Sequence, residues 1–400
     1  MSVLSKNSTR DKSLTIIALA IGAFFVSQGE NWLDPYTARI VNLVAINAIL
    51  AVSLNLIYGF TGMFSLGHAG FMAIGAYVCT LFILTPEQKE GQWILEPILP
   101  FLQNISLPFF FAVLAGGLVA AFFGVLIAVP VLRLGGDYLG IATLGFAEII
   151  RVLIVNNAPI TNGALGIKGI PQYSTIGWNF LWLAITVYVI MTLLRSNIGN
   201  VFKAIREDEI ASQTMGVNIF WYKILSFSIG AFFAGVGGGL MAALVSTIDP
   251  TMFKFLQTFN ILMIVVAGGL GSVTGSIIGS AVITFFLEWL RLVEDATTVH
   301  FPPAWTDMAP MFTFDIPGIP GMRMVIFSVL LMCIILYWRK GLLGTREFSW
   351  EGTIFGPMRA VRRFLSSSGK SGASGKSGAS GKTHEGKAQD GESNAKGGGE

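Results

Sequence analysis

The sequence predicts an all-α integral membrane protein, a polytopic bundle of about ten transmembrane helices, some of them short or broken. Three observations carry that expectation: apolar runs of spanning length, a shortage of charge, and positive side chains confined to alternate loops. Hydrophobic residues fill 53% of the 400 positions and charged residues 12%, where soluble domains carry roughly 25% charge. The mean hydropathy is +0.67. A net charge of +3, with no basic stripe to line a groove, argues against nucleic acid as a partner. Cys79 and Cys333 lie in apolar runs without Cys or His at metal spacing, so neither a disulfide framework nor a metal site is expected.

Crossing the hydrocarbon takes roughly 17 to 25 mostly apolar residues. Such runs fall at about 13–27, 38–58, 64–84, 107–132, 138–156, 177–194, 222–247, 256–270, 273–291 and 322–338. The first follows Lys6, Arg10 and Lys12 and reads as a retained span, because no small-x-small cleavage site follows it. The first and eighth are short and read as re-entrant or tilted. Positive charges near span ends stay cytoplasmic. With the N-terminus inside, Lys6, Arg10, Lys12, Arg133, Arg195, Lys203, Arg206, Lys223, Arg339 and Lys340 fall inside, against mainly Lys89, Lys168 and Lys254 outside. Residues 1–12 are therefore expected to be a cytoplasmic N-terminus, 13–345 the transmembrane domain, and 346–400 a cytoplasmic tail.

After Arg363 the composition turns to Ser, Gly and Lys, and disorder is expected from about residue 366. Gly375-Lys376-Ser377 and Gly381-Lys382-Thr383 resemble the end of a phosphate-binding loop, but its first glycine is replaced by Lys370 or Lys376. No strand precedes either, so this chain is expected to bind no ATP.

Small residues recur at four-residue spacing in Ala69 and Ala73, in Gly235 and Gly239, and in Gly271, Gly275 and Gly279, the pattern of close helix approach in lipid. The clusters Gly59-Phe60-Thr61-Gly62 and Gly268-Gly269-Leu270-Gly271, one in each half, are predicted to break helices. Within the second run, Asn42, Asn47, Ser53 and Asn55 either bond neighbouring helices or line a polar pore. An ionisable group at the bilayer centre costs at least ~2.5 to 3.5 kcal/mol and so faces protein or a cavity. Glu148 and Arg151, three apart on one face of the fifth run, read as a structural ion pair or as a gate. Asn47, Asn55, Ser65, His68, Thr143, Glu148 and Arg151 are the candidate residues of a translocation pathway.

The most informative polar stretch is 195–223, between the sixth and seventh runs. Asn200 is expected to cap a helix from Val201 to Met215, stopped by Gly216, with a stripe of Val201, Ala204, Ile205, Ala211 and Met215. Lys203, Arg206, Glu207, Asp208 and Glu209 form a dense mixed cluster around it, which by charge pattern alone also fits a solvated linker.

Lys203 to Ala211, followed by Met215-Gly216-Val217-Asn218, resembles the cytoplasmic coupling loop of branched-chain amino acid ABC importer permeases. Ser212 stands where that loop carries a second alanine in importers generally. Three further stretches are similar to the same family: Gly59 to Phe71 with Gly75-Ala76-Tyr77, Arg133 to Tyr138 with Thr143 to Arg151, and Thr161 to Ile167. The resemblance covers most of residues 38 to 344 and implies a transport subunit of a bacterial-type cytoplasmic membrane, not an enzyme. It implies that Lys203, Ala204, Arg206, Glu207, Asp208, Glu209, Ala211 and Gly216 couple the chain to an ATPase. It further implies a second homologous permease subunit, two ABC ATPase subunits holding ATP and Mg, and an extracytoplasmic amino-acid-binding protein. Urea and short-amide permeases share much of the framework, so they remain alternatives in substrate. An ion-coupled secondary transporter would lean on Glu148. An intramembrane hydrolase would need a nucleophile and base at matched depth, and no such set is present.

Overall fold

The computed structural model describes residues 33–93, 96–133, 138–294, 297–301 and 312–316, with scattered positions between 325 and 344. These belong to one compact unit, Met1–Glu347. The expected first run, most of the tenth, the N-terminus and the tail lie outside the described residues.

The eight remaining runs are all helical. They form α1 (Pro35–Asn55, extended by the π-helical turn Leu56–Phe60), α2 (His68–Ile83), and, after the short polar α3 (Pro86–Gln92), α4 (Phe109–Val131), α5 (Tyr138–Asn156) and α6 (Ile176–Arg195). The polar stretch 195–223 adds α7 (Asn197–Glu207) and α8 (Glu209–Thr214), and the last three runs form α9 (Ile219–Val245), α10 (Phe255–Gly268) and α11 (Val273–Glu294). Six helices are long and apolar enough to cross a membrane, or seven if α2 and α3, bent by 119° at their junction, count as one. The described residues therefore do not reach the expected ten. α10, with 14 residues, is short as expected. Two small antiparallel ribbons amend the all-α expectation: β1 (Ile167–Lys168) pairs with β2 (Thr247–Ile248), and β3 (Thr297–Phe301) with β4 (Phe312–Ile316).

α1, mostly apolar and buried over its second half, forms the centre, packing on α6, α9, α10 and α11. Beside it, α2, α4 and α9 meet through small residues. A Cβ on Gly75 would lie 2.1 Å from the Gly235 carbonyl oxygen, and one on Gly238 would lie 2.0 Å from that of Met72. A Cβ on Gly239 would meet Cys79 at 2.9 Å. Lipid gives no hydrophobic drive between helices, so such backbone proximity maximises dispersion contact. Gly275 and Gly279 do the same for α11 against Gly268 and Ile264 of α10. The packing expectation holds for Gly235 and Gly239 and for Gly275 and Gly279, whereas Gly271 (φ +80°) lies in the turn before α11.

At the start of α3, Thr85 and Gln88 form a capping box. Lys89 is fully buried there, its Nζ donating to the Leu102 carbonyl at 2.8 Å and the Ile105 carbonyl at 2.6 Å. Burial pushes its ammonium below the ordinary lysine range. The indole of Trp93 donates to the Ala158 carbonyl at 3.1 Å, so this loop is fastened to the segment after α5.

Candidate translocation and coupling site

Both glycine clusters predicted to break helices do so, and the two breaks touch. α1 widens into its π-turn, and Gly62 (φ +77°) then leads an extended segment to α2. A π-turn and a helix end leave carbonyls without intrahelical partners. The Leu56 carbonyl accepts from the hydroxyls of Thr61 (2.9 Å) and Ser226 (3.3 Å). The Gly59 carbonyl accepts from Arg206 Nη1 at 2.9 Å. At the second break, Gly269 (φ +126°) and Gly271 (φ +80°) reverse the chain from α10 into α11. Asn55 fastens one break to the other. Its Nδ2 donates to the Ser272 carbonyl (2.9 Å) and Ser276 Oγ (2.8 Å), while its Oδ1 accepts from Gly271 N (2.9 Å). A Cβ on Gly59 would lie 2.5 Å from Gly271 N. Irregular backbone at membrane depth is tolerated where protein covers it, as here.

The other polar residues of α1 also bond neighbouring helices. Asn47 Nδ2 donates to Thr284 Oγ1 at 2.9 Å, and Asn42 Oδ1 accepts from Asn179 Nδ2 at 2.8 Å. Ser53 Oγ lies 2.8 Å from the Leu50 carbonyl oxygen and 3.0 Å from His68 Nε2, within hydrogen-bond reach of both. Thr143 Oγ1 accepts from Leu66 N (3.0 Å) and donates to the Gly140 carbonyl (2.9 Å), and Ser65 Oγ accepts from Gly67 N (3.4 Å). Asn47, Asn55, His68 and Thr143 thus link segments, whereas the bond of Ser65 to Gly67 N is local. None of the five borders the cleft beside α8 described below. Asn179, a polar residue within the sixth run, was open to the same reasoning as Asn42 and was missed.

Glu148 and Arg151 do pair, with Arg151 Nε donating to Glu148 Oε1 at 2.8 Å. Their side chains are 53% and 24% exposed, among the exposed Ile149, Val152 and Leu153. The pair is therefore on the outward face of α5 and not buried within this chain.

The polar stretch 195–223 departs from the expected single helix. Ser196, not Asn200, precedes the first turn of α7, and the chain kinks at Asp208 (φ −154°, ψ 113°). The Asp208 carboxylate then accepts from Ala211 N at 2.9 Å and caps α8. Gly216 (φ +85°) ends the second helix as expected. The kink reorients α8, so the expected stripe does not run through both helices. Phe202, Ile205 and Ser212 face inward, whereas Ala204 and Ala211 are exposed, Ile210 is 75% exposed and Met215 84%. Lys203 is exposed too. The charges expected to meet a partner are paired within the chain: Arg206 Nε with Glu207 at 3.2 Å, and Lys223 Nζ with Glu209 at 2.6 Å. A cleft of about 510 Å³ lies between α8, the start of α9 and Leu132 at the end of α4.

A family model described as the permease component of the branched-chain amino acid transport system matches residues 36–335. The chain belongs to that permease family. The match takes in α1 to α11, including the two touching breaks and the pair α7 and α8. Among this permease's relatives is the high-affinity branched-chain amino acid transport system permease protein LivM of Escherichia coli. The two are 34% identical over 322 residues, 71% of this chain and 70% of LivM. A probable branched-chain amino acid transport permease protein LivM of Methanocaldococcus jannaschii is 24% identical over 355 residues, 80% of this chain and 95% of that one. The ribose import permease protein RbsC of Haemophilus influenzae is 25% identical over 212 residues, 48% of this chain and 64% of its own. No solved structure matches the permease.

Proposed function

We propose that this chain is the membrane-spanning subunit of an ATP-binding cassette importer that carries branched-chain aliphatic amino acids inward, powered by ATP and Mg on separate ATPase subunits. The match to the permease family over residues 36–335 carries the reading. The names of the LivM relatives support the substrate class. The working assembly has a second homologous permease, two ATPases and an extracytoplasmic amino-acid-binding protein, with both termini of this chain cytoplasmic. The outward Glu148–Arg151 pair supports a covered face on α5, since charge facing lipid is costly. That face is assigned to the partner permease and the pathway between the two chains.

The ATPase contact is assigned to α7 and α8. Ile210 and Met215 are exposed apolar groups on a polar loop, Ala211 beside them permits close approach, and the adjoining cleft gives concave relief. Ala211→Trp overpacks such a contact by about 1 to 3 kcal/mol, equivalent to about 5- to 150-fold weaker docking. Ile210→Asp places a carboxylate in it. Both variants should insert normally yet lose ATPase co-purification and uptake in reconstituted vesicles. Normal co-purification and uptake in both would reduce this stretch to a solvated linker.

A further inference from the structure

Arg206 lies in the last turn of α7, yet its side chain does not point at the exposed cytoplasmic face. Its Nη1 reaches across to the Gly59 carbonyl at 2.9 Å, the oxygen that the π-turn ending α1 leaves without a helical partner. We propose that Arg206 is a positioning residue for transport: it transmits movement of the cytoplasmic helices to the two touching helix breaks. This rests on the reading that the ATPase docks on α7 and α8.

Four features of the geometry carry the proposal. The guanidinium sits where both breaks converge, since a Cβ on Gly271 would lie 2.7 Å from Arg206 Nη1 and one on Gly62 would lie 3.1 Å from Arg206 Cγ. Both glycines have positive φ, so each position is closed to other residues by backbone conformation as well as by the arginine stem. Glu207 holds the fork: its Oε1 accepts from Arg206 Nε at 3.2 Å and Nη2 at 2.5 Å, leaving Nη1 aimed at Gly59. A rigid planar cation at the carbonyl end of α1 also complements that helix's partial negative charge.

The connection does not stop at Gly59. One turn earlier on α1, Asn55 bonds Gly271 N, the Ser272 carbonyl and Ser276 Oγ. A displacement of α7 therefore acts on the end of α1 and, through Asn55, on the start of α11. Phe202 and Ile205 are buried, so α7 itself is held against the bundle. Movement delivered from the cytoplasm consequently reaches both breaks through one side chain. A solvated linker would have no use for that bond.

The test uses the complete importer in vesicles, with ATP hydrolysis and leucine uptake measured on the same preparation. Arg206→Met keeps the stem that packs near Gly62 and removes the donor. In the complex that assembles, uptake per ATP hydrolysed should fall at least ~10-fold. Arg206→Lys, which keeps the charge and a donor group without the planar fork, should restore part of that ratio. Gly271→Ala, which crowds Nη1 without touching the charge, should reproduce the loss. An unchanged uptake-to-ATP ratio in Arg206→Met and Gly271→Ala would overturn the proposal. So would failure of Arg206→Met to assemble with full coupling in Arg206→Lys, which would leave a purely structural role. Absence of ATP-driven uptake in the unmodified importer would instead sink the permease reading beneath it.

Discussion

Glu148 and Arg151 bond each other along one helix and face away from the rest of their own chain. A pair so placed in a membrane helix requires a second surface, and removing one charge leaves the other uncompensated there. Breaking a buried pair commonly costs ~3 to 5 kcal/mol, whereas replacing both partners is often tolerated. Glu148→Gln and Arg151→Gln should each therefore reduce recovery of the assembled importer on size exclusion more than the double variant does. Equal recovery from all three would place both groups in water. Sequence spacing was enough to pair these residues, because i and i+3 share a helical face. It did not tell which way that face points, since an outward face covered by another chain and an inward face have the same composition. The asparagines of α1 were equally visible as membrane-embedded polar groups. Their choice between pore and helix link depended on partners at Thr284, Asn179 and Gly271, more than a hundred residues away in sequence, and no local pattern encodes that.

At the scale of elements, the spanning helices were legible because their length and apolarity are set by the bilayer itself. The helix breaks at residues 59–62 and 268–271 were legible too, although Gly237-Gly238-Gly239 inside the unbroken α9 shows that a glycine cluster in an apolar run also serves close packing. What escaped was the kink at Asp208. Its neighbours on both sides are good helix formers, and the choice of Asp208 as a new cap over continued helix is made by the inward packing of Phe202, Ile205 and Ser212. The same limit hid the Arg206 contact, which looked like a surface charge in the sequence. The small-residue seam between α2 and α9 has the opposite character, being readable from spacing alone. Its strength follows from contact: a Cβ on Gly238 would lie 2.0 Å from the Met72 carbonyl oxygen. Gly238→Val should force the two helices apart and cost at least ~1 to 3 kcal/mol by overpacking. The expected outcome is a thermal transition in detergent lowered by several degrees, or loss of folded protein, while an unchanged transition would contradict the seam.

For the whole molecule, the distribution of lysine and arginine predicts an orientation with α8 inside and the loop after α2 outside. In a chain carrying Cys79→Ala and Cys333→Ser, Gln213→Cys and Gly91→Cys should label from opposite sides. Gln213 is the better reporter because Ser212 beside it is buried. Labelling of position 213 from outside intact cells would invert the topology. Energy source is the sharper question, because it separates an ATP-driven importer from an ion-coupled carrier built around Glu148. The decisive measurement is leucine uptake into vesicles containing this chain with its permease and ATPase partners, driven either by internal ATP or by an imposed proton or sodium gradient. Uptake that requires ATP, and that neither gradient supports, is the expected result. Gradient-driven uptake by this chain alone, indifferent to ATP, would contradict the account.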